Sequence, residues 1–174
     1  MAELGLIGPE ERLELIEGEI IQQMVPQKSL HATAICLVEE ALRLAFGAGF
    51  LVRVQLPLVL SPLSEPEPDV AVVRGGPRDY RDVHPTTALL VVEVADTTLA
   101  FDRRTKGSLY ARAQIADYWI LNLPAQAVEV YRRPMPRANA PLGFGYADMV
   151  RYLPGESVTP LASPHAVLVA DLLP

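Results

Sequence analysis

Cysteine is nearly absent from this chain, because Cys36 is the only cysteine among its 174 residues. A single thiol excludes an internal disulfide and a metal site built from several thiolates. Any metal ion must therefore be held by oxygen or histidine ligands.

Positive charge is also scarce, with 15 Lys and Arg against 21 Asp and Glu and a formal net charge of −6. This balance argues against a protein that coats nucleic acid with a broad basic face. The arginines that are present form two clusters: Arg103-Arg104 with Arg112, and Arg132-Arg133 with Arg137. Such clusters either follow a nucleic-acid backbone locally or are ordinary solvated side chains.

Long hydrophobic runs are missing as well. No stretch approaches the roughly 18 apolar residues of a membrane span, and the N-terminus lacks the basic start and apolar stretch of a signal peptide. We therefore expect a soluble, cytoplasmic protein without a membrane partner. Half of the residues are hydrophobic (50%), which is enough for one core, so we expect residues 1–174 to form a single domain.

Proline is abundant, and the 16 prolines divide the chain into short segments. Two apolar runs, Arg12 to Ile16 and Glu19 to Met24, are separated by Glu17-Gly18 and predict a β-hairpin. Apolar residues at helical spacing predict a first helix from Ser29 to Phe46, with Ser29 as its N-cap and Gly47 as its stop.

A second helix is predicted from Leu99 to Gln114, and the remaining elements are strands. The predicted strands are Leu51 to Leu60, Asp69 to Val73, Ala88 to Val94, Asp117 to Leu123, Ala127 to Tyr131, Tyr146 to Leu153 and Ala166 to Val169. The strand–helix–strand order around the second helix favours a right-handed crossover within one sheet. These elements predict an α/β domain with a mixed central β-sheet flanked by helices.

Glu93 breaks the pattern of its strand. Apolar residues occupy both parities of Leu89 to Ala95, so the side chain points into covered space on either face of the sheet. A buried carboxylate needs a cation, a metal or a hydrogen-bond donor beside it. A structural ion pair would satisfy this need, and so would a catalytic centre.

Asp69 and Lys106 are the other two ionisable residues in unusual positions. Asp69 follows Pro68 at the start of a strand, where turn chemistry or a functional site can place a carboxylate. Lys106 lies on the apolar stripe of the second helix, whereas Arg104, Ser108 and Arg112 are expected to face solvent. A snorkelling lysine, or one paired with Asp102, would explain the same pattern.

Two carboxylates from successive strands and an ammonium from the next helix suit phosphodiester hydrolysis. Carboxylate oxygens are ligands for a hard cation such as Mg²⁺ or Mn²⁺, which activates a bound water and stabilises the charged phosphate. Asp69 and Glu93 would hold the metal, and Lys106 would orient the water or stabilise developing charge.

Three further residues are auxiliary candidates. His31 falls on the inward stripe of the first helix, as a satisfied core histidine or as a proton carrier or ligand. Tyr110 is one turn from Lys106 and serves packing or lysine positioning. Glu19 flanks the hairpin turn, where it is either solvated or folded over the centre.

Several segments of the chain together resemble the bacterial Uma-two family of "putative restriction endonucleases". They are Leu13-Glu-Leu-Ile-Glu-Gly-Glu-Ile20, Ser64-Glu-Pro-Glu-Pro-Asp-Val-Ala-Val-Val73, Leu90-Val-Val-Glu-Val-Ala-Asp96, Asp102-Arg-Arg-Thr-Lys-Gly-Ser-Leu-Tyr-Ala111 and Asp117-Tyr-Trp-Ile120. The resemblance extends from about Leu13 to Leu172 and rests on the order of these motifs.

That family is placed in the PD-(D/E)XK nuclease superfamily, so the resemblance implies a restriction-endonuclease-like fold and Mg²⁺-dependent cleavage of DNA. Pro68-Asp69 resembles the PD element, and Glu93 resembles the acidic strand residue. Ala95 stands where the superfamily usually has its lysine, and Lys106 resembles a lysine that has migrated to the next helix. Because many such nucleases cut two strands as dimers, a homodimer is expected.

Two other functions remain open at this stage. The acidic charge balance favours a catalytically silent nucleic-acid or protein binding module on a nuclease fold. A metal hydrolase acting on a small phosphoester would also explain the negative charge. Retention of all three polar residues favours the nuclease.

Overall fold

The fold is built around a six-stranded sheet, seen in a computed structural model that describes residues 12–23 and 28–174. The strands are β3 (Phe50–Val54), β4 (Val70–Arg74), β5 (Leu90–Ala95), β6 (Asp117–Asn122), β7 (Ala127–Pro136) and β8 (Phe144–Tyr152), in that spatial order. Strands β5 and β6 pair in parallel, and every other neighbouring pair is antiparallel. The sheet is therefore mixed, as the sequence predicts.

Alternation along the central strands divides the core into two layers. Val72 and Val92 belong to a cluster on the face covered by the first helix, whereas Ala71 and Val91 belong to a cluster on the opposite face. All six residues of β5 are buried, since successive side chains of a strand point to opposite faces and both faces are covered.

Helix α1 (Ser29–Phe46) covers the first face and has the predicted bounds. Its buried residues recur at helical spacing, and Gly47 ends it with a φ of 67° and an N–H bond to the Arg43 carbonyl. Lys28 occupies the N-cap position. The predicted N-cap, Ser29, is instead the first residue of the helix.

The second helical segment, residues 99–112, covers the opposite face in three consecutive pieces. They are α2 (Leu99–Phe101), a π-helical turn (Asp102–Lys106) and α3 (Gly107–Arg112). The prediction that Ser108 faces solvent is wrong. The start of β8 covers this side chain, whose hydroxyl donates to the Phe144 carbonyl at 2.7 Å.

A separate hairpin, β1 (Arg12–Ile16) and β2 (Glu19–Gln23), lies beside the sheet. It has the predicted turn, while the predicted end at Met24 falls outside the described residues. Backbone bonds join Leu15 to Glu65 and the Gly18 N–H to the Leu63 carbonyl, so the hairpin is attached to the loop that precedes β4.

The C-terminal part of the chain completes the layer that contains α1. Strands β9 (Ser157–Val158) and β10 (Val167–Leu168) pair with each other, and a 3₁₀ turn, Val169–Leu172, follows. Another 3₁₀ turn, Pro77–Tyr80, lies between β4 and β5. None of the helices in the described ranges is long and apolar enough to span a membrane.

Some predicted boundaries are wrong. Strand β3 ends at Val54 because Gln55 adopts a left-handed φ of 50°, so the predicted strand through Leu60 does not form. Strand β7 continues to Pro136 because it pairs with β8 over most of its length. The chain beyond Pro134 is therefore more regular than predicted.

Candidate functional site

Glu93 lies in the middle of β5 on the face that the second helical segment covers. It is almost completely buried, and its Oε1 accepts hydrogen bonds from Lys106 Nζ at 2.9 Å and Tyr110 OH at 2.6 Å. The burial inferred from the strand pattern is therefore observed, and the partners come from the helix that packs on this face.

Lys106 is the last residue of the π-helical turn, and its side chain contacts Glu93. The Gly107 N–H bonds to the Asp102 carbonyl, which also accepts from Tyr118 OH at 3.0 Å. A π turn inserts an extra residue into a helix and is often found at functional sites. The Lys106 side chain faces the sheet and is 3% exposed, so it does not snorkel to solvent.

Asp69 lies immediately before β4, next to Glu93. Its Oδ2 accepts from the Val94 N–H at 2.8 Å, and its own N–H donates to Glu93 Oε2 at 3.4 Å. Its Oδ1 lies 3.3 Å from His31 Nε2 and 3.3 Å from Gln55 Nε2. The structure thus brings together Asp69, Glu93 and Lys106.

Glu14 is a fourth member of this group, and the sequence reasoning missed it as a site residue. It comes from β1, is 2% exposed, and its Oε1 accepts from Lys106 Nζ at 3.0 Å and from the Glu67 N–H at 3.2 Å. Its Oε2 has no hydrogen-bond partner within the described ranges. The sequence did contain an indication that Glu14 is a site residue, because Glu14 lies within the segment Leu13 to Ile20 that carries the family resemblance.

Asp102 is a fifth ionisable residue close to this group. It is almost fully buried, and its Oδ2 accepts a hydrogen bond from Thr98 Oγ1 at 2.6 Å. The expected alternative partner of Lys106 was Asp102, but the lysine bonds directly to Glu14 and Glu93 instead. Asp102 acts on them through its charge.

The electrostatics of the group are dominated by excess negative charge. Burial raises the pKa of Glu93 to about 8, and neighbouring carboxylates add to this shift while Lys106 opposes it. Burial likewise raises the pKa of Asp102 to about 6 against the attraction of Lys106. One ammonium does not balance the surrounding carboxylates, so the group favours an additional positive charge.

Asp69 and Lys106 shift in the directions that favour their charged forms. Burial opposes ionisation of Asp69, but the hydrogen bond and charge of His31, with Lys106 and the Val94 N–H, hold its pKa below the ordinary value. Burial also opposes charge on Lys106, yet the surrounding carboxylates, Glu93 foremost, raise its pKa well above the usual range. Lys106 therefore favours its charged ammonium form.

Two of the three auxiliary candidates, His31 and Tyr110, contact Asp69 or Glu93. His31 contacts Asp69, and Tyr110 donates to Glu93. Burial, followed by the charge of Glu93, raises the pKa of Tyr110 well above its ordinary value. Glu19 is exposed on β2, and Glu14 is the residue through which the hairpin enters the group. We call Glu14, Asp69, Glu93 and Lys106 the carboxylate–lysine group.

The family model Uma2, described as "Putative restriction endonuclease", matches residues 2–162. The chain belongs to this family. All four members of the carboxylate–lysine group lie inside the range that matches Uma2, which confirms the resemblance inferred from the motifs.

A solved structure agrees with the Uma2 assignment at the level of the fold. It is a protein from Anabaena variabilis ATCC 29413 described as "a putative nuclease belonging to DUF820", with 17% sequence identity and a TM-score of 0.70. The similarity covers 98% of this chain and 94% of that chain, so the restriction-endonuclease-like fold is confirmed. No curated protein shows significant similarity to the sequence.

Proposed function

We propose that this protein is a metal-dependent endonuclease that hydrolyses phosphodiester bonds of DNA. In this proposal Asp69 and Glu93 hold Mg²⁺ or Mn²⁺, and Lys106 assists the attacking water. The observation that carries it is the convergence of these three side chains in a member of the family described as restriction endonucleases: Asp69 precedes β4, Glu93 lies in β5 and Lys106 in the π-helical turn.

The residues of the group suit a hard divalent cation. Glu14 Oε2 is a buried carboxylate oxygen without a hydrogen-bond partner in the described part of the chain, and Glu93 retains its proton up to an unusually high pH. Residues 12–23 and 28–174 contain no cluster of three or more His, Cys, Asp or Glu side chains arranged to hold a metal. Mg²⁺ often uses only one or two protein carboxylates and keeps several waters, so Asp69 and Glu93 are sufficient.

A bound cation would supply Lewis-acid stabilisation of the phosphate and a more acidic water. The protein itself contributes orientation. Lys106 Nζ is fixed by Glu14 and Glu93, and its raised pKa favours a hydrogen-bond donor to a phosphate oxygen or water over a base. His31 and Gln55 orient the Asp69 carboxylate through its Oδ1.

The carboxylate–lysine group is accessible to solvent mainly at Asp69. The side chains of Asp69 and His31 are 15% and 21% exposed, whereas Glu14, Glu93 and Lys106 are almost inaccessible. Substrate would therefore approach past Asp69. The same enclosure supports a second candidate function, a catalytically silent binding module whose buried ion pairs stabilise the fold.

The test combines metal binding with DNA cleavage. Purified protein is titrated with Mn²⁺ and Mg²⁺ by calorimetry, and the same samples are incubated with supercoiled, linear and single-stranded DNA and with a chromogenic phosphodiester. The variants are Asp69→Asn and Lys106→Met. Asp82→Asn is the matched control because this carboxylate is highly exposed and pairs only locally with Arg81.

We expect metal binding to be lost in Asp69→Asn and cleavage to fall at least about 100-fold in both site variants, with Asp82→Asn unchanged. Metal binding without cleavage of any substrate would favour the silent module. Turnover of the chromogenic ester without DNA cleavage would indicate a small-phosphoester hydrolase, and an absence of metal binding would reject the proposed centre.

A further inference from the structure

A concave feature lies beside the helical segment that carries Lys106. It is a cleft of about 410 Å³ between the π-helical turn and the hairpin of β7 and β8. Its lining includes Arg103 and Arg104 from the π-helical turn, Arg137 from the β7–β8 connection, and the rings of Tyr131 and Tyr146. We call it the arginine cleft.

The charge of the arginine cleft is opposite to that of the whole chain. Three arginines line it and no Asp or Glu does, although the chain has a net charge of −6. A concave surface of one sign concentrates its potential and attracts ions of the opposite sign. Its ligand should therefore be anionic.

Arg103 is held in a fixed orientation in the lining of the cleft. Its guanidinium donates to both oxygens of Glu129 at 2.9 and 2.6 Å, and Glu129 also accepts from Asn122 and Tyr131. Because these bonds use Nε and one terminal nitrogen, N–H groups on the other nitrogen remain available. A guanidinium held by a buried carboxylate is preorganised to bind an anion.

Arg137 lies against a glycine that leaves room for it. A Cβ added at Gly145 would lie 3.1 Å from Arg137 Cδ, closer than ordinary van der Waals contact. Arg137 and Arg104 are both exposed, and within the described ranges neither forms an ion pair. Their charges are thus available to a ligand in the cleft.

We propose that the arginine cleft binds a backbone phosphate of a nucleic-acid strand and that another phosphodiester of this strand, a few nucleotides away, reaches the carboxylate–lysine group. This inference rests on the proposed nuclease function, because it assigns the substrate of the same enzyme. Lys106 bonds to Glu93, and Arg103 bonds to Glu129. Ile120 of β6 pairs with both carboxylate residues, so they lie on the same face of the sheet, two strand spacings or about 10 Å apart. A nucleic-acid strand that advances about 3.4 Å per nucleotide spans that distance in about three nucleotides.

Binding is measured by fluorescence anisotropy with a labelled duplex and a labelled single strand, in EDTA and over a range of KCl concentrations. The double variant Arg104→Ala/Arg137→Ala removes both available charges, and Arg78→Ala is the control because it removes an exposed arginine from the Pro77–Tyr80 turn, outside the cleft. Thermal melting checks that each variant folds, and DNA cleavage by the parent protein is measured separately.

Each lost phosphate contact should lower the slope of log K against log salt by about 0.9 for duplex and about 0.7 for a single strand. We expect the double variant to bind roughly tenfold more weakly at low salt and to lose between one and two contacts, while Arg78→Ala binds as the parent does. Gly145→Ala should weaken binding in the parent but have no further effect in an Arg137→Ala background.

The outcomes separate this inference from the nuclease proposal. Cleavage by the parent with an unchanged salt slope in the double variant would overturn the cleft and leave the nuclease intact. An arginine-dependent slope without cleavage would support the cleft and contradict the nuclease. A parent protein that binds no nucleic acid in EDTA or with Mn²⁺ would overturn both.

Discussion

Two regions of this molecule bury acidic side chains, and they do so in opposite ways. At the start of β6, Asp117 is completely buried and accepts hydrogen bonds from Trp119 Nε1 at 2.8 Å, Arg132 Nε at 2.8 Å and the Leu161 N–H at 2.8 Å. Its carboxylate is matched by one arginine and by two neutral donors.

The carboxylate–lysine group has no such balance. Lys106 is one cation beside the three carboxylates Glu14, Glu93 and Asp69, and one Glu14 oxygen has no partner in the described ranges. The pKa of Glu93 is raised to about 8 by burial and by its acidic neighbours. A buried charge that is paired and hydrogen-bonded serves the fold, whereas an unbalanced one costs stability. The comparison indicates that the second region is arranged for something other than stability.

The largest effect should come from removing the charge of the balanced region. Asp117→Asn leaves Arg132 without its carboxylate and turns an amide N–H₂ toward groups that are themselves donors. We expect unfolding in urea to show a loss of about 3 kcal/mol. Asp82→Asn, an exposed carboxylate, is the control with a change below about 0.5 kcal/mol. An equally small change in Asp117→Asn would contradict the structural role given to this region.

The matching substitution in the unbalanced region should act in the other direction. Because the pKa of Glu93 rises from 4.5 to about 8 on folding, its contribution to stability is present at low pH and is lost as the pH rises through 8. Glu93→Gln removes this loss. In EDTA we expect the variant to match the parent near pH 4.5 and to be more stable by about 2 kcal/mol near pH 9.

Urea unfolding at several pH values measures this difference in stability. Repeating the measurement with Mn²⁺ tests whether the cation stabilises the parent and not the variant. Under the proposed function the cation stabilises the parent by about 2.7 kcal/mol at a concentration 100-fold above its dissociation constant and leaves Glu93→Gln unchanged. A variant that is less stable than the parent at every pH would show that the two regions are built alike.

The same contrast explains what could be predicted from the sequence. Glu93 and Lys106 stand out because each interrupts an apolar pattern that is local, and local periodicity is the strongest signal in a single sequence. Glu14 does not stand out, since a polar residue in Leu13-Glu14-Leu15 is typical of a strand with one solvated face. Its contacts with Lys106, 92 residues away, and with the Glu67 N–H show that Glu14 points inward.

Regular helical spacing also led to a wrong prediction, the exposure of Ser108 to solvent. The contact of Ser108 with β8 and the pairing of β7 with β8 join segments that are distant in sequence, so the burial of Ser108 and the extension of both strands could not be read from spacing alone. The central strands and the crossover from β5 to β6 follow from the sequence, because buried apolar runs, proline and glycine mark the segments clearly.

The smallest effect tests how the hairpin holds Glu14 in the unbalanced region. Hydrogen bonds from Arg112 and then Ser64 lower the pKa of Glu17 from 4.5 to about 2, so this contribution is present above pH 4.5 and is lost as the pH falls toward 2. Glu17→Gln should therefore cost about 1 kcal/mol near pH 6, and the gap should close near pH 2.

The control for this prediction is Glu39→Gln, which removes an exposed Glu–Arg pair within α1 and should cost no more than about 0.5 kcal/mol. Urea unfolding gives both values. Arg112 belongs to α3 and Glu17 to the turn of the hairpin, so their pair joins the helix that follows Lys106 to the strand that carries Glu14. If Glu17→Gln is indistinguishable from Glu39→Gln, this pair is an ordinary surface contact, and the position of Glu14 depends on Lys106 and on the backbone bonds of Leu15 with Glu65.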